Sequence, residues 1–148
     1  MTSANDIYAV ALDLYLSETQ SPAKLRSSIS RFYYAAFHRA SEMLRSIGIT
    51  LPKGPECHAK LQFLLSQSGD TDLVSAGTKL GELRTARNEA DYDLANMKAE
   101  SPRHAEFCFH VAARIISCID LCFSGGPKAN VHAAIRKYAK DVLKLQVK

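Results

Sequence analysis

Apolar residues recur every three or four positions along most of the chain, and no stretch alternates with period two for long enough to argue a strand. Glycine, proline and polar turns cut this pattern into segments. The first, about Asn5 to Thr19, opens on Ser3-x-x-Asp6, a spacing that caps a helix start, and carries Ile7, Val10 and Leu14 as its stripe. The second begins at Ser21 and Pro22, a capping hydroxyl followed by a residue whose missing N–H costs nothing in a first turn. Leu25, Ile29, Phe32, Ala36, Ala40, Met43 and Ile47 then repeat on one side until Gly48, and the strip 49–55, with two prolines and a glycine, reads as a loop.

The third segment, about Glu56 to Gln67, buries Leu61, Leu64 and Leu65. After a Ser68-Gly69-Asp70 turn the fourth runs from Thr71 to near Tyr92, with Leu73, Ala76, Leu80, Leu83, position 87, Ala90 and Leu94 on its stripe. A polar loop around Lys98 to Pro102 leads to the fifth, His104 to Phe123, which is apolar around most of its circumference and is therefore packed on several sides. Gly125-Gly126-Pro127 reads as a stop and hinge. The sixth, Ala129 to about Gln146, keeps Val131, Ile135, Tyr138, Val142 and Leu145 on one face. The pattern predicts an all-α bundle of five or six helices. Residues 1–124 form the bundle, and 125–148 form a C-terminal basic helix packed on it or extending it.

Composition narrows the class further. A chain of 148 residues builds one core and not two, and 47% hydrophobic with 23% charged residues excludes a disordered polymer. The most apolar stretch, Val111 to Phe123, is interrupted by Arg114 and Asp120 and is too short to span a bilayer. MTSANDIYAV lacks a basic start followed by an apolar run, so no secretory leader is expected. The four cysteines (Cys57, Cys108, Cys118, Cys122) contain no CxxC pair, which argues for reduced thiols and a cytoplasmic protein.

Net charge is +4, and its distribution matters more than its sum. From Lys128 onward six Lys/Arg face Asp141 alone, a balance of +5, so the remaining body stands at −1. Lys128, His132, Arg136, Lys140, Lys144 and Lys148 follow at steps of four and trace a slow spiral around a helix. Two readings stay open for it, a solvated face and a track for phosphates or an acidic partner.

The anomaly of the chain is Arg87. It takes a slot between Leu83 and Ala90 on an otherwise apolar stripe, and a guanidinium cannot shed its charge to enter a core. Asp91 lies one turn on, and Arg84, Asn88 and Tyr92 complete a compact polar group. One account is a buried Arg87–Asp91 pair that fixes helix packing. The other is a cleft floor that presents Arg84 and Arg87 to a phosphodiester.

Three fragments, Ser30-Arg-Phe-Tyr-Tyr-Ala-Ala-Phe-His38, Cys57-His58 opening a helix, and Arg87-Asn-Glu-Ala-Asp-Tyr92, together resemble the HEPN family over most of the chain. The resemblance implies a small helical bundle that works as a homodimer, alone or beside a nucleotidyltransferase partner. Active members of that family are metal-independent endoribonucleases using Arg, a polar residue after it and a His a turn or more downstream. The His shuttles a proton and the Arg holds phosphate charge. Here Tyr92 stands where that His is sought and the next histidine is His104, so the chain carries an Arg-x-x-Ala-Asp-Tyr variant with a degenerate ribonuclease motif.

Three functions follow as expectations. The first is a HEPN-like module that binds RNA, nucleotide or a partner protein in a defence or toxin–antitoxin setting, with Arg84, Arg87, Lys140 and Lys144 on phosphates. The second is an active ribonuclease using Arg87, Asn88, Asp91 and Tyr92 at a dimer cleft. The third is a structural domain that docks a nucleotidyltransferase. Arg31, Tyr34 and His38 are further lining residues, since His38 and Tyr34 sit one turn apart and packing can bring them beside Arg87. Tyr33, Tyr34 and Phe37 read as core rather than as a base-stacking platform. The thiols of the fifth segment sit among isoleucines, so no metal is expected, and no motif calls for an organic cofactor.

Overall fold

A computed structural model describes residues 1–124 and 128–148. Among these there are six α-helices and no strand: α1 (Ala4–Tyr15), α2 (Pro22–Ser46), α3 (Glu56–Ser66), α4 (Thr71–Tyr92), α5 (Pro102–Ser124) and α6 (Ala129–Asp141), with a 3-10 turn at Met97–Glu100 before α5. None of these helices is long and apolar enough to cross a membrane. The Gly125-Gly126-Pro127 hinge lies outside the described residues.

The long α2 is the axis of the bundle and packs on α1, α4 and α5. Ser21 accepts from the Lys24 amide and Pro22 opens the helix, as the sequence predicts. Its stripe from Leu25 to Met43 is buried, together with Tyr33 and Phe37. Ser3 and Asp6 form a reciprocal capping box at the start of α1. The face that α1 buries differs from the expected stripe: Ala4 and Ala11 go inside, while Val10 is exposed. Two alanines let α1 lie close to α2, and Tyr8 and Tyr15 bring their rings edge-on to Phe32 from either side. The helix stops at Tyr15 rather than Thr19, because the Gln20 side-chain amide folds back and donates to the Leu14 and Tyr15 carbonyls.

Helix α4 starts under Asp70, whose carboxylate accepts from the Asp72 and Leu73 amides and from Lys128 Nζ. Those donors hold the Asp70 carboxyl below its ordinary range, the Leu73 amide first and then Lys128. A group depressed in the folded state stabilises at pH values above its unfolded pKa and loses that contribution as pH falls through the folded value. Asp70→Ala is expected to cost about 1–2 kcal/mol in urea unfolding at neutral pH, with the difference shrinking in strong acid.

The far end of α4 is held by Arg26 of α2, only 7% exposed. Its guanidinium donates to the carbonyls of Glu89, Ala90, Asp93, Leu94 and Asn96 and to Glu100 Oε1. The chain therefore turns away after Tyr92, and Leu94, expected on the buried stripe, is exposed. Helix α6 packs on α3 and ends at Asp141 instead of near Gln146, which leaves Val142 exposed. The tail returns through Lys144 at φ 53 to pair Val147 with Ile49, and the Lys148 amide donates to the Gly48 carbonyl. Gly48 sits at φ 86, where a Cβ would meet the Lys148 carbonyl oxygen at 2.6 Å.

Half of the basic spiral serves this packing. Lys128 bonds Asp70, His132 stacks on Phe123 with ring centroids 4.6 Å apart, and Arg136 donates to the Ile47 carbonyl at 2.8 Å. Neither of its two open readings holds along the whole helix; Lys140 and Lys144 remain exposed.

Candidate functional site

The polar group of α4 meets α2 and the first turn of α3 at one place. Residues 84, 87 and 91 share a helix face by their spacing, and that face turns toward α2. Arg87 is 6% exposed, and its guanidinium carbon lies 5.4, 5.2 and 5.7 Å from the ring centres of Tyr33, Tyr34 and Tyr92. Three aromatic faces stabilise a cation through their quadrupoles, yet they give its N–H groups no acceptor oxygen in the ring plane.

What Arg87 lacks stands out beside Arg26. Its one hydrogen bond among the described residues runs from Nη1 to the Tyr92 hydroxyl at 3.5 Å, and Asp91 Oδ2 stands 3.7 Å away, an ion pair beyond hydrogen-bond length. That carboxylate oxygen also accepts from Ser30 Oγ at 3.0 Å. The Nε atoms of Arg87 and of half-buried Arg84 have no acceptor among the described residues. The closed structural pair expected as one account of Arg87 is thus loosely made, with most of five donors unspent.

A histidine completes the cluster. His58, in the first turn of α3, bonds the Tyr33 hydroxyl through Nδ1 at 2.6 Å and packs its ring 4.7 Å from that of Phe37. Burial lowers its pKa below the ordinary histidine value, and Arg84, Arg87 and His38 push the same way, so the ring is neutral at pH 7. Burial likewise lowers His38, with Arg45 adding to the effect and Glu42 opposing it. Burial raises the Tyr33 phenol well above its usual range, which keeps it protonated.

The candidates named from sequence fall into three groups. Arg84, Arg87, Asp91, Tyr92 and Tyr34 lie at the cluster, and His38 sits one layer out, stacked on Tyr34 with centroids 6.2 Å apart. Asn88 is on α4 but exposed, and Arg31 is exposed on α2. Lys140 belongs to α6, which packs on α3 and, among the described residues, has no contact with α4, and Lys144 belongs to the tail that pairs with Ile49. Sequence reasoning missed His58 as a site residue; its only signal was Cys57-His58 at a helix start. Tyr33, assigned to the core, is buried and also forms one wall of the site. Among the described residues no three His, Cys, Asp or Glu side chains converge as metal ligands would.

With this arrangement in view, comparison with known families is informative. The HEPN domain matches residues 15–122, and the chain belongs to that family. A search of curated proteins and a search of solved structures each return no match.

Proposed function

We propose that this HEPN module binds single-stranded RNA, with Arg84 and Arg87 clasping a backbone phosphate and a second copy of the chain completing the cleft. The observation that supports the reading is Arg87 itself: a guanidinium nine-tenths buried, caged by rings and short of acceptors. Leaving charged donors unpaired in a protein interior costs free energy, and an anionic oxygen brought by a ligand returns it. Phosphate suits the planar fork better than a point acceptor does.

Single-stranded RNA suits the surroundings. Tyr92 is 76% exposed and touches Arg87, so an unpaired base can stack beside a bound phosphate. Leu94 and Met97 follow it around the corner at 73% and 70% exposure, an apolar surface of the kind a second copy covers. Lys140 and Lys144 add long-range attraction without sequence preference.

The test is fluorescence anisotropy with a labelled single-stranded oligoribonucleotide across a salt series. Binding is expected at low salt, weakening as salt rises, and Arg84→Gln should lower the slope of log affinity against log salt by about 0.7, one phosphate contact. No binding by the wild type at low salt would remove the reading.

A further inference from the structure

At the opposite end of α4 from the arginine cluster, its opening turns and the second half of α5 enclose a cavity of about 270 Å³ that Lys128 closes at one end. Asp72, Ala76 and Lys79 line it from α4. Arg114, Cys118 and Leu121, which share one face of α5 by their spacing, line it from the other side. We propose that this cavity binds a small monocarboxylate with an apolar body. The head sits on Lys79 and Arg114, and the body lies over the floor between the two helices.

That floor is apolar. Ala76, Ile115 and Cys122 are buried in it. Burial raises the Cys118 thiol to about 11 and pushes Cys122 the same way. Both sulfurs are therefore protonated at neutral pH and act as small, soft hydrophobes. Leu121 stands exposed at the mouth. A ligand body placed here takes the floor and Leu121 out of water together.

The rim is cationic, and two of its cations are unspent. Lys128 is engaged: its Nζ donates to Asp70 Oδ2 at 2.9 Å and lies 3.6 Å from Cys122 Sγ. The side chains of Lys79 and Arg114 have no hydrogen bond or ion pair with any described residue. Arg26 and Arg39, by contrast, are both occupied by carboxylates.

Charge sets the head group and size sets the body. Lys79, Arg114 and Lys128 stand against Asp72 on the wall, and Asp70 neutralises Lys128, which leaves one net positive charge for a monoanion. A guanidinium fork takes a carboxylate through two parallel hydrogen bonds, and an ammonium adds a point charge. Pockets for drug-sized ligands run about 300–1,000 Å³; this one falls just short, which suits a single ring or a short branched chain. The site goes beyond the phosphate reading of Arg84 and Arg87 and does not depend on it. Lys79 precedes Arg87 by eight residues, about 12 Å along the helix.

The experiment is an amide NMR titration of the full chain with phenylacetate, set beside phenylacetamide and acetate. Phenylacetate should bind with a Kd of about 1 mM or below and shift amides within 72–79 and 114–122. Phenylacetamide lacks the charge and acetate lacks the ring, so each should bind about tenfold more weakly or worse. Arg114→Gln and Lys79→Gln should each weaken phenylacetate about tenfold. Neither side chain holds a structural contact, so both variants should keep the wild-type spectrum elsewhere. Absence of phenylacetate shifts up to about 10 mM, equal affinity for phenylacetamide, or unchanged affinity in both variants overturns the proposal. Shifts centred on residues 84–92 overturn it too, since they place the carboxylate on the arginine cluster.

Discussion

Arg26→Ala is expected to be the most damaging single substitution in the chain, lowering stability by about 3–5 kcal/mol in urea unfolding. A domain of this size holds about 5–15 kcal/mol in total, so the variant should be partly unfolded at growth temperature. The reason is the number of groups that depend on one side chain. Five carbonyls at the end of α4 and in the turn after it, and the Glu100 carboxylate, all accept from the Arg26 guanidinium. Its removal leaves several of them short of donors in a place with little water. Arg26→Lys should recover only a small part of the loss, because one ammonium with three donors cannot serve the five carbonyls and the carboxylate that the guanidinium reaches.

Arg87→Met is the opposite case, although both arginines are more than nine-tenths buried. Stability should hold or rise by up to about 2 kcal/mol, since replacing a poorly paired interior charge by an apolar chain of similar length is neutral to favourable. Three tyrosine rings form a suitable wall for a methionine. RNA affinity, by contrast, should drop about 100-fold, the equivalent of two charge-assisted hydrogen bonds. A residue that weakens the fold and strengthens a ligand contact is what a binding site costs its scaffold.

The two arginines also show what sequence reveals and what it hides. Arg87 was legible because a charge on a regular apolar stripe breaks a pattern, and Arg84, Asp91 and Tyr92 were legible because helical spacing places them beside it. Arg26 was not, for its acceptors are backbone carbonyls around a helix end, and no side-chain pattern records them. His58 was hidden for a related reason: only the packing of α3 against α2 and α4 brings it to Tyr33 and the arginines. The bundle itself followed from periodicity and caps, with Ser3, Ser21 and Asp70 at the starts of three helices. The misplaced residues sit where tertiary contacts decide. Leu94 lies beyond the stop that Arg26 imposes, Val142 lies beyond the end of α6, and Val10 yields the inner face of α1 to two alanines.

One thermal-unfolding experiment bears on the central claim, that Arg87 is short of acceptors because its acceptor is a ligand. Wild type and Arg87→Met are melted with and without the single-stranded oligoribonucleotide at a hundredfold excess over the wild-type Kd. Without RNA, Arg87→Met should melt at or above the wild-type temperature. With RNA, wild type should gain about 2.7 kcal/mol and the variant close to nothing. An Arg87→Met protein that melts far below wild type, yet still gains as much from RNA, would make Arg87 a packing residue and contradict the account.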